Sequence, residues 1–412
     1  MKILYISNNY LPFTGGVEIH VQQVAETLSA RHQVTIGALK FGNYGFSKRL
    51  RALEYSLLAA KRCASRKDGL VQVCSLAPTA IGRLKMAPLV LRATPRIQRY
   101  YYHQINGLTR PFYLWAMETR IRALAKDADI VHCMAFGDLG IAAERAARHA
   151  GVPFVCTPFV HPKQWGDGPD DIKLYQRSDA VIALVPTDFS HLRELGVPEE
   201  KLRTIGVSPA LPKSIDHRAF RREHGFGDHQ PIVLYLGRLM AQKGARAVQQ
   251  AAPLVWKRFP DTQFVFVGPG TGEEIAIFNG ADPRLRYLGR VSDQKKAEAL
   301  AGCTMLCLPS TSEILPTVYL EAWSLGKPVI AGVAHGVPEL VEGNQAGLCA
   351  LRQPEDVANA VSTLLSDPGI AREYAESGRK LVETRYSTES ISRALEQLYF
   401  ELTSPKESLC DF

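Results

Sequence analysis

The sequence has no apolar run approaching the 18 or more residues of a membrane-spanning helix, which excludes a chain threaded through a bilayer on such a helix. It also has no C-x-x-C pair. Its eight cysteines, at 63, 74, 133, 156, 303, 307, 349 and 410, are scattered, so a reducing cytoplasm is the expected compartment. Cys303 and Cys307 flank a strand core and read as small buried hydrophobes, not metal ligands. Neither the G-x-G-x-x-G of dinucleotide binders nor a Walker phosphate loop occurs. The opening MKILYIS is too short for the apolar region of a signal peptide and runs straight into strand pattern, so export is not expected.

What the chain does have is alternation. With 412 residues, 46% of them apolar, it can bury two cores of ordinary size. Short apolar runs alternate with helical stretches, the βαβ rhythm of a parallel sheet covered on both faces. Strands are expected at 2–7, 33–38, 70–76, 129–133, 152–157, 180–184 and 202–206, and again at 231–236, 263–268, 284–288, 304–308, 328–331 and 346–350. Residues 207–230 hold two prolines, many charges and no strand pattern, and the boundary is expected there. The expected domains are 1–206, with a basic insertion at 48–104, and 207–387, followed by a closing segment 388–412. The helix near 388–402 carries Ile391, Ala394, Leu395 and Leu398 on one stripe, which must be buried somewhere.

The most informative segment is SEILPTVYLEAWSLGKPVIAG, residues 312–332, with Glu313 and Glu321 eight positions apart. In a pure helix that spacing would turn the second side chain roughly 80° from the first. TMLCLPS before it reads as a buried strand leaving a sheet, and Pro316 to Leu325 as a helix that stops at Gly326. Glu313 is therefore expected in a strand-to-helix loop and Glu321 in the helix. Such loops, at the carboxyl ends of strands, bind ligands in doubly wound sheets. Two carboxylates there suit a polyhydroxylated ligand better than a phosphate.

Other strand exits carry complementary chemistry. LYLGRLMAQKG places Gly237 and Arg238 after a strand and Lys243 at the next helix start, a guanidinium fork and a point charge suited to phosphate oxygens. YISNNYLPFTGGVEIHV puts Gly15 and Gly16 before a helix, where free N–H groups attract an anion or an acceptor hydroxyl; a plain glycine turn is the alternative. VFVGPGTGEE ends a strand with Gly268, Gly270 and Gly272, which chiefly make room. YLGRVSD is a further exit, and in AHGVPELVEG Glu339 is expected to cap a first helical turn.

These residues together resemble the E-x7-E and G-R-x4-K-G signatures of retaining family-4 glycosyltransferases, and nearly the whole chain can be laid along that family. The resemblance implies a GT-B fold: α/β, two Rossmann-like domains facing across a cleft, with the last helix crossing back onto the first. It implies that Glu313 contacts the donor sugar, Glu321 the ribose, and Arg238 and Lys243 the departing diphosphate. Arg290 and Val291 would lie against the base, and Gly237, Gly268, Leu315, Pro316 and Thr317 would line the donor site. The family often has Phe-Gly after its first Glu, where Ile314 and Leu315 stand here. It also carries a histidine close to the donor sugar at the position of Phe159. His161 either takes that place through a loop shift or is a surface residue before Pro162; His132 and His20 are further candidates.

Charge is distributed unevenly. Between Lys48 and Arg99 stand twelve Lys/Arg against Glu54 and Asp68, a local excess of +10 in a chain of net +8. Leu50, Leu53, Leu57 and Leu58 fall on one side of a helix expected over 48–62, with cations around the rest. Such a helix suits an anionic bilayer surface. A basic hairpin over the core is the plainer alternative, and no nucleic-acid motif accompanies the charge.

The expected function is transfer of a sugar from a UDP- or GDP-linked donor to a lipid-linked or glycan acceptor, with retention. The protein is expected to be cytoplasmic and peripheral on the inner membrane face. No metal or organic cofactor is expected, Arg238 and Lys243 meeting the diphosphate charge. A non-catalytic sugar-nucleotide-binding partner subunit and a sugar-nucleotide epimerase of the same architecture are the competing readings.

Overall fold

The computed structural model describes residues 1–11, 15–40, 65–77, 81, 95–135, 137–162 and 165–404, which form two compact units. The expected helix at 48–62 and most of the basic insertion lie outside these residues. The first unit comprises Met1–Ala183, Phe189–Ile205 and the chain from Ser392; the second comprises Leu184–Asp188 and Gly206–Ile391.

The first unit is built on eight strands: β1 (Lys2–Asn9), β2 (Gln33–Lys40), β3 (Ser65–Asp68), β4 (Val71–Ser75), β5 (Ile130–Cys133), β6 (Phe154–Cys156), β7 (Ala180–Ala183) and β8 (Leu202–Thr204). Their order is β3-β4-β2-β1-β5-β6-β7-β8, parallel throughout except that β3 runs antiparallel to β4. β3 is the strand the sequence did not announce. Its residues SRKD hold no apolar alternation; it pairs with β4 through the backbone, Arg66 donates to the Leu11 carbonyl at 3.2 Å, and the strand forms a charged edge that resists further pairing.

The second unit has six parallel strands, β9 (Ile232–Leu236), β10 (Gln263–Val267), β11 (Leu285–Gly289), β12 (Met305–Leu308), β13 (Val329–Ala331) and β14 (Gly347–Cys349), in the order β11-β10-β9-β12-β13-β14. β9 reads IVLYL and is buried at every residue, as a strand covered on both faces must be. The region 207–230 contains no strand, as expected, but does fold a short helix, Ala219–His224, closed by Gly225 in the left-handed region.

The last helix, Thr388–Thr403, buries Ile391, Leu395, Leu398 and Tyr399, and from Ser392 onward belongs to the first unit. Tyr399 explains its attachment. Its hydroxyl lies 2.9 Å from that of Tyr5 in β1 and 2.6 Å from Nδ1 of His132 in β5, and His132 Nε2 meets the Thr157 hydroxyl at 2.7 Å. Both ring nitrogens of His132 are thus used structurally. Burial, then the neighbouring His20, pushes the His132 pKa down to about 3, and burial lowers that of His20 to about 4.

A pH dependence follows. Both rings are neutral when folded, so their contribution to stability is complete above the unfolded pKa of about 6.5 and is lost as pH falls towards the folded values, at about 1.4 kcal/mol per unit for each ring. The denaturant midpoint of the first unit is expected to drop between pH 7 and pH 5, and His20→Leu should flatten that drop. An unchanged slope in the variant would contradict the burial of a titrating ring.

Candidate functional site

In the second unit the strand order reverses beside β9, which pairs with β10 on one flank and β12 on the other. Loops leaving β9 and β12 stand there at the carboxyl edge of the sheet, the place where doubly wound sheets bind ligands. Both loops carry residues singled out above. Gly237, Arg238 and Lys243 follow β9; Glu313 follows β12.

The two loops are tied together. The Thr311 N–H donates to the Gln242 carbonyl at 2.9 Å, and Lys243 Nζ donates to the Ser312 carbonyl at 3.1 Å and to Glu313 Oε1 at 2.5 Å. Lys243 and Glu313 retain 21% and 12% side-chain exposure, so the pair is sheltered yet open to a ligand. Gly244 makes the tie possible. It sits at φ +81°, and a Cβ on it would stand 2.7 Å from the Pro309 carbonyl oxygen. Arg238 has its backbone carbonyl held by the Tyr235 hydroxyl at 2.8 Å, while its side chain is exposed and bonds to none of the described residues. A pinned backbone with a free guanidinium is an arrangement suited to an incoming anion.

Gly268, after β10, lies against the same loop: at φ +142°, a Cβ there would meet the Gly237 carbonyl oxygen at 2.0 Å. Its N–H donates to the Gly289 carbonyl at 2.8 Å, which continues the line of strand exits to exposed Arg290 and half-buried Val291. The expected helix after β12 runs Thr317–Ser324, one residue shorter at each end than read from sequence, because Pro316 stays extended as the residue before its first turn and Leu325 closes it. Ile314 and Leu315, which stand where Phe-Gly was the family pattern, are both buried.

Glu321 points into the protein, with only 3% exposure. Burial raises its pKa, opposed by Lys296 and by the Ala210 N–H, which hydrogen-bonds to it. Lys296 Nζ lies 2.9 Å from Glu321 Oε1. Lys296, in the helix Asp293–Gly302, is the residue that sequence reasoning missed: 25 positions separate it from Glu321, and no local pattern joins them. Glu339 does occupy a first helical turn, in Val337–Val341, and accepts a hydrogen bond from the Thr187 hydroxyl.

In the first unit, β1 lies between β2 and β5, a second reversal of strand order. Gly15 precedes, and Gly16 begins, the helix Gly16–Ser29 at that edge. Glu18 changes the reading of this loop. Its Oε1 accepts from Asn9 Nδ2 at 3.0 Å, and its Oε2 lies 2.3 Å from where a Gly15 Cβ would stand. A carboxylate already faces the helix N-terminus, which favours a hydroxyl there over a phosphate. His161 forms an antiparallel bridge with Trp165, the two rings 4.0 Å apart, and Phe159 adopts φ +52°, rare for a residue with a side chain of that size. An Asp-x-Asp spacing, Asp127 and Asp129, stands at the amino end of β5, the wrong edge for a strand-exit site, and Asp129 Oδ2 there accepts the Lys2 N–H at 2.7 Å. Among the described residues no group of three or more His, Cys, Asp or Glu is gathered as metal ligands would be.

Comparison with known proteins agrees with the geometry. The family Glycosyl transferases group 1 matches residues 216–381, and Glycosyltransferase Family 4 matches residues 14–206. The chain is 32% identical over 330 residues to alpha-D-kanosaminyltransferase of Streptomyces kanamyceticus, which covers 73% of this chain and 85% of that protein. It is 24% identical over 412 residues to a GDP-mannose-dependent alpha-(1-6)-phosphatidylinositol monomannoside mannosyltransferase of Mycobacterium tuberculosis, covering 96% of this chain and 97% of that one. Among solved structures, Anabaena Alr3699/HepE in complex with UDP and glucose superposes with a TM-score of 0.68 at 19% identity, over 97% of this chain and 99% of that one. Sucrose-phosphate synthase from Thermosynechococcus elongatus gives 0.70 at 19% identity, over 97% and 98%. These structural likenesses speak to the fold.

Proposed function

This chain belongs to the family-4 glycosyltransferases, and from that premise we propose that it transfers a sugar from a UDP- or GDP-linked donor to an acceptor hydroxyl with retention of configuration. The observation that carries the reading is the Lys243–Glu313 pair, 2.5 Å apart at the point where the strand order of the second unit reverses. A sugar nucleotide needs both of its partners: a cation for the diphosphate and an anionic acceptor for the sugar hydroxyls. The kanosaminyl and GDP-mannose-dependent relatives are transferases, and HepE was crystallised with UDP and glucose, which supports the donor class.

In this mechanism the bond between the anomeric carbon and the diphosphate oxygen breaks, and Arg238 and Lys243 meet the charge that develops on the leaving group. The departing oxygen takes the acceptor's proton on the face where the new bond forms, which yields retention. Glu313 orients the sugar and Glu321 receives the ribose hydroxyls. Gly237 and Gly268 leave space, Arg290 and Val291 present backbone to the base, and the N–H groups of Leu315 and Thr317 flank the diphosphate, with Pro316 fixing the turn. Gly15 and Gly16, with Glu18 beside them, receive the acceptor hydroxyl.

The acceptor is assigned to an anionic membrane surface on the cytoplasmic side, lipid-linked or glycan in nature. Supporting this are the +10 excess between Lys48 and Arg99 and the helix Pro95–Ala125, on which Leu108, Phe112 and Trp115 are exposed at helical spacing. No helix among the described residues is long and apolar enough to cross a membrane.

The direct test incubates the protein with a panel of UDP- and GDP-sugars and vesicles carrying lipid acceptors, and measures free nucleoside diphosphate and the anomeric proton coupling of the product. Acceptor-dependent release with an unchanged anomer is expected. Release with an inverted anomer would overturn retention, and no release across the panel would overturn the donor class.

A further inference from the structure

Two consecutive lysines on the helix Asp293–Gly302 make ion pairs of different kinds. Lys295 is 45% exposed and bridges Glu223 at 2.5 Å and Glu298 at 3.0 Å, a surface arrangement worth little. Lys296 is 20% exposed and reaches inward to Glu321, which is almost wholly buried. A buried carboxylate is expensive to keep ionised, and this one lies in a helix that leaves the ligand-binding edge of the sheet. The groups that act on it most are Lys296, the Ala210 N–H and, adding an unfavourable charge, Asp293.

We propose that Lys296 is a positioning residue for the donor nucleotide, holding the Glu321 carboxylate ionised and rotationally fixed so that it accepts both hydroxyls of a ribose diol. This rests on the donor reading above. The chemistry is specific to the ionised form. A carboxylate offers only acceptors, and a vicinal diol offers two donors; a protonated carboxyl at the same depth would present a donor to one of them. Without its cation, Glu321 loses the charge that opposes the upward pull of burial and of Asp293, and it holds its proton to higher pH. Lys296 also begins only six residues after Arg290, so the strand exit assigned to the base and the cation that sets the ribose acceptor come from one short stretch.

The test measures binding of UDP-glucose and GDP-mannose by titration calorimetry from pH 6 to pH 8.5, a range in which their diester phosphates do not titrate. Wild-type affinity for at least one is expected to be nearly flat. Lys296→Met should bind at least tenfold more weakly at pH 6, recovering to within about threefold of wild type at pH 8.5, because affinity returns as Glu321 ionises. Lys296→Arg should restore the flat profile, Lys295→Met should match wild type, and Lys296→Met combined with Glu321→Gln should be weak at every pH. Wild-type affinity in Lys296→Met, or a loss of the same size at every pH, overturns the proposal and leaves a structural ion pair. If Lys296→Met does not fold, Lys296→Gln is measured instead; unfolding of both beside a native Lys296→Arg overturns it as well. A wild type that binds neither probe is measured with the rest of the UDP- and GDP-sugar panel, and binding to none refutes the donor reading itself.

Discussion

Replacing either Arg238 or Lys243 by Ala is expected to lower turnover about 100-fold or more, in line with the loss of one contact to charge developing in a transition state, about 2.7 kcal/mol. The two variants should differ in a second respect. Arg238 has no side-chain partner among the described residues, so Arg238→Ala removes nothing from the resting fold, and its melting temperature should match wild type. Lys243 is bonded to Glu313 and to the Ser312 carbonyl, so Lys243→Ala also leaves a sheltered carboxylate without its cation and should weaken donor binding as well as turnover. Combining Lys243→Ala with Glu313→Gln should therefore cost less than the two single losses added together. Near-normal turnover in either single alanine variant would sink the assignment of the diphosphate to this loop.

Neutralising Lys48, Arg49, Arg51, Lys61 and Arg62 together is expected to reduce partitioning onto anionic vesicles by about 5,000-fold, since each Lys or Arg near such a surface is worth about 1 kcal/mol. The five lie outside the described residues, and the expectation rests on their charge in sequence. Raising salt should detach the unmodified protein, because attraction of this kind is screened within about 8 Å at physiological ionic strength. Donor binding should be unaffected, as Lys243, Glu313 and Glu321 belong to the second unit. Cosedimentation followed across a salt series is the measurement. Wild-type protein that ignores anionic vesicles at low salt would rule out the membrane surface and point to a soluble acceptor.

Much of the candidate site was legible because local patterns carry it. The run LYLGRLMAQKG announces a strand, a glycine exit and a helix start within eleven residues; the structure puts Lys243 at the end of the 3-10 turn Ala241–Lys243, two residues before the helix Ala245–Trp256. Glu313 in a loop and Glu321 in a helix followed from Pro-Ser before and Gly-Lys-Pro after. The misses have a common character. Ser65–Asp68 pairs as a strand without any apolar signal, and Lys296 meets Glu321 across 25 residues, a pairing visible only in three dimensions.

The amino-acid sequence by itself determined the alternation of strands and helices, the division between two sets of strands, and which loops would hold charged residues. Those are consequences of which faces must be buried and where the backbone can turn, and both are written in neighbouring residues. Only the tertiary structure decided which charge meets which. β12 pairs with β9 although two strands intervene in the chain, and that order brings Lys243 to Glu313 across 70 residues. It also decided that Lys296 serves Glu321, and that Tyr399 joins His132 across 267 residues to seat the last helix on the first unit. Hydrophobic periodicity specifies a face and not a partner. The pairing of buried polar groups depends on sheet order, which is set by the packing of the whole unit.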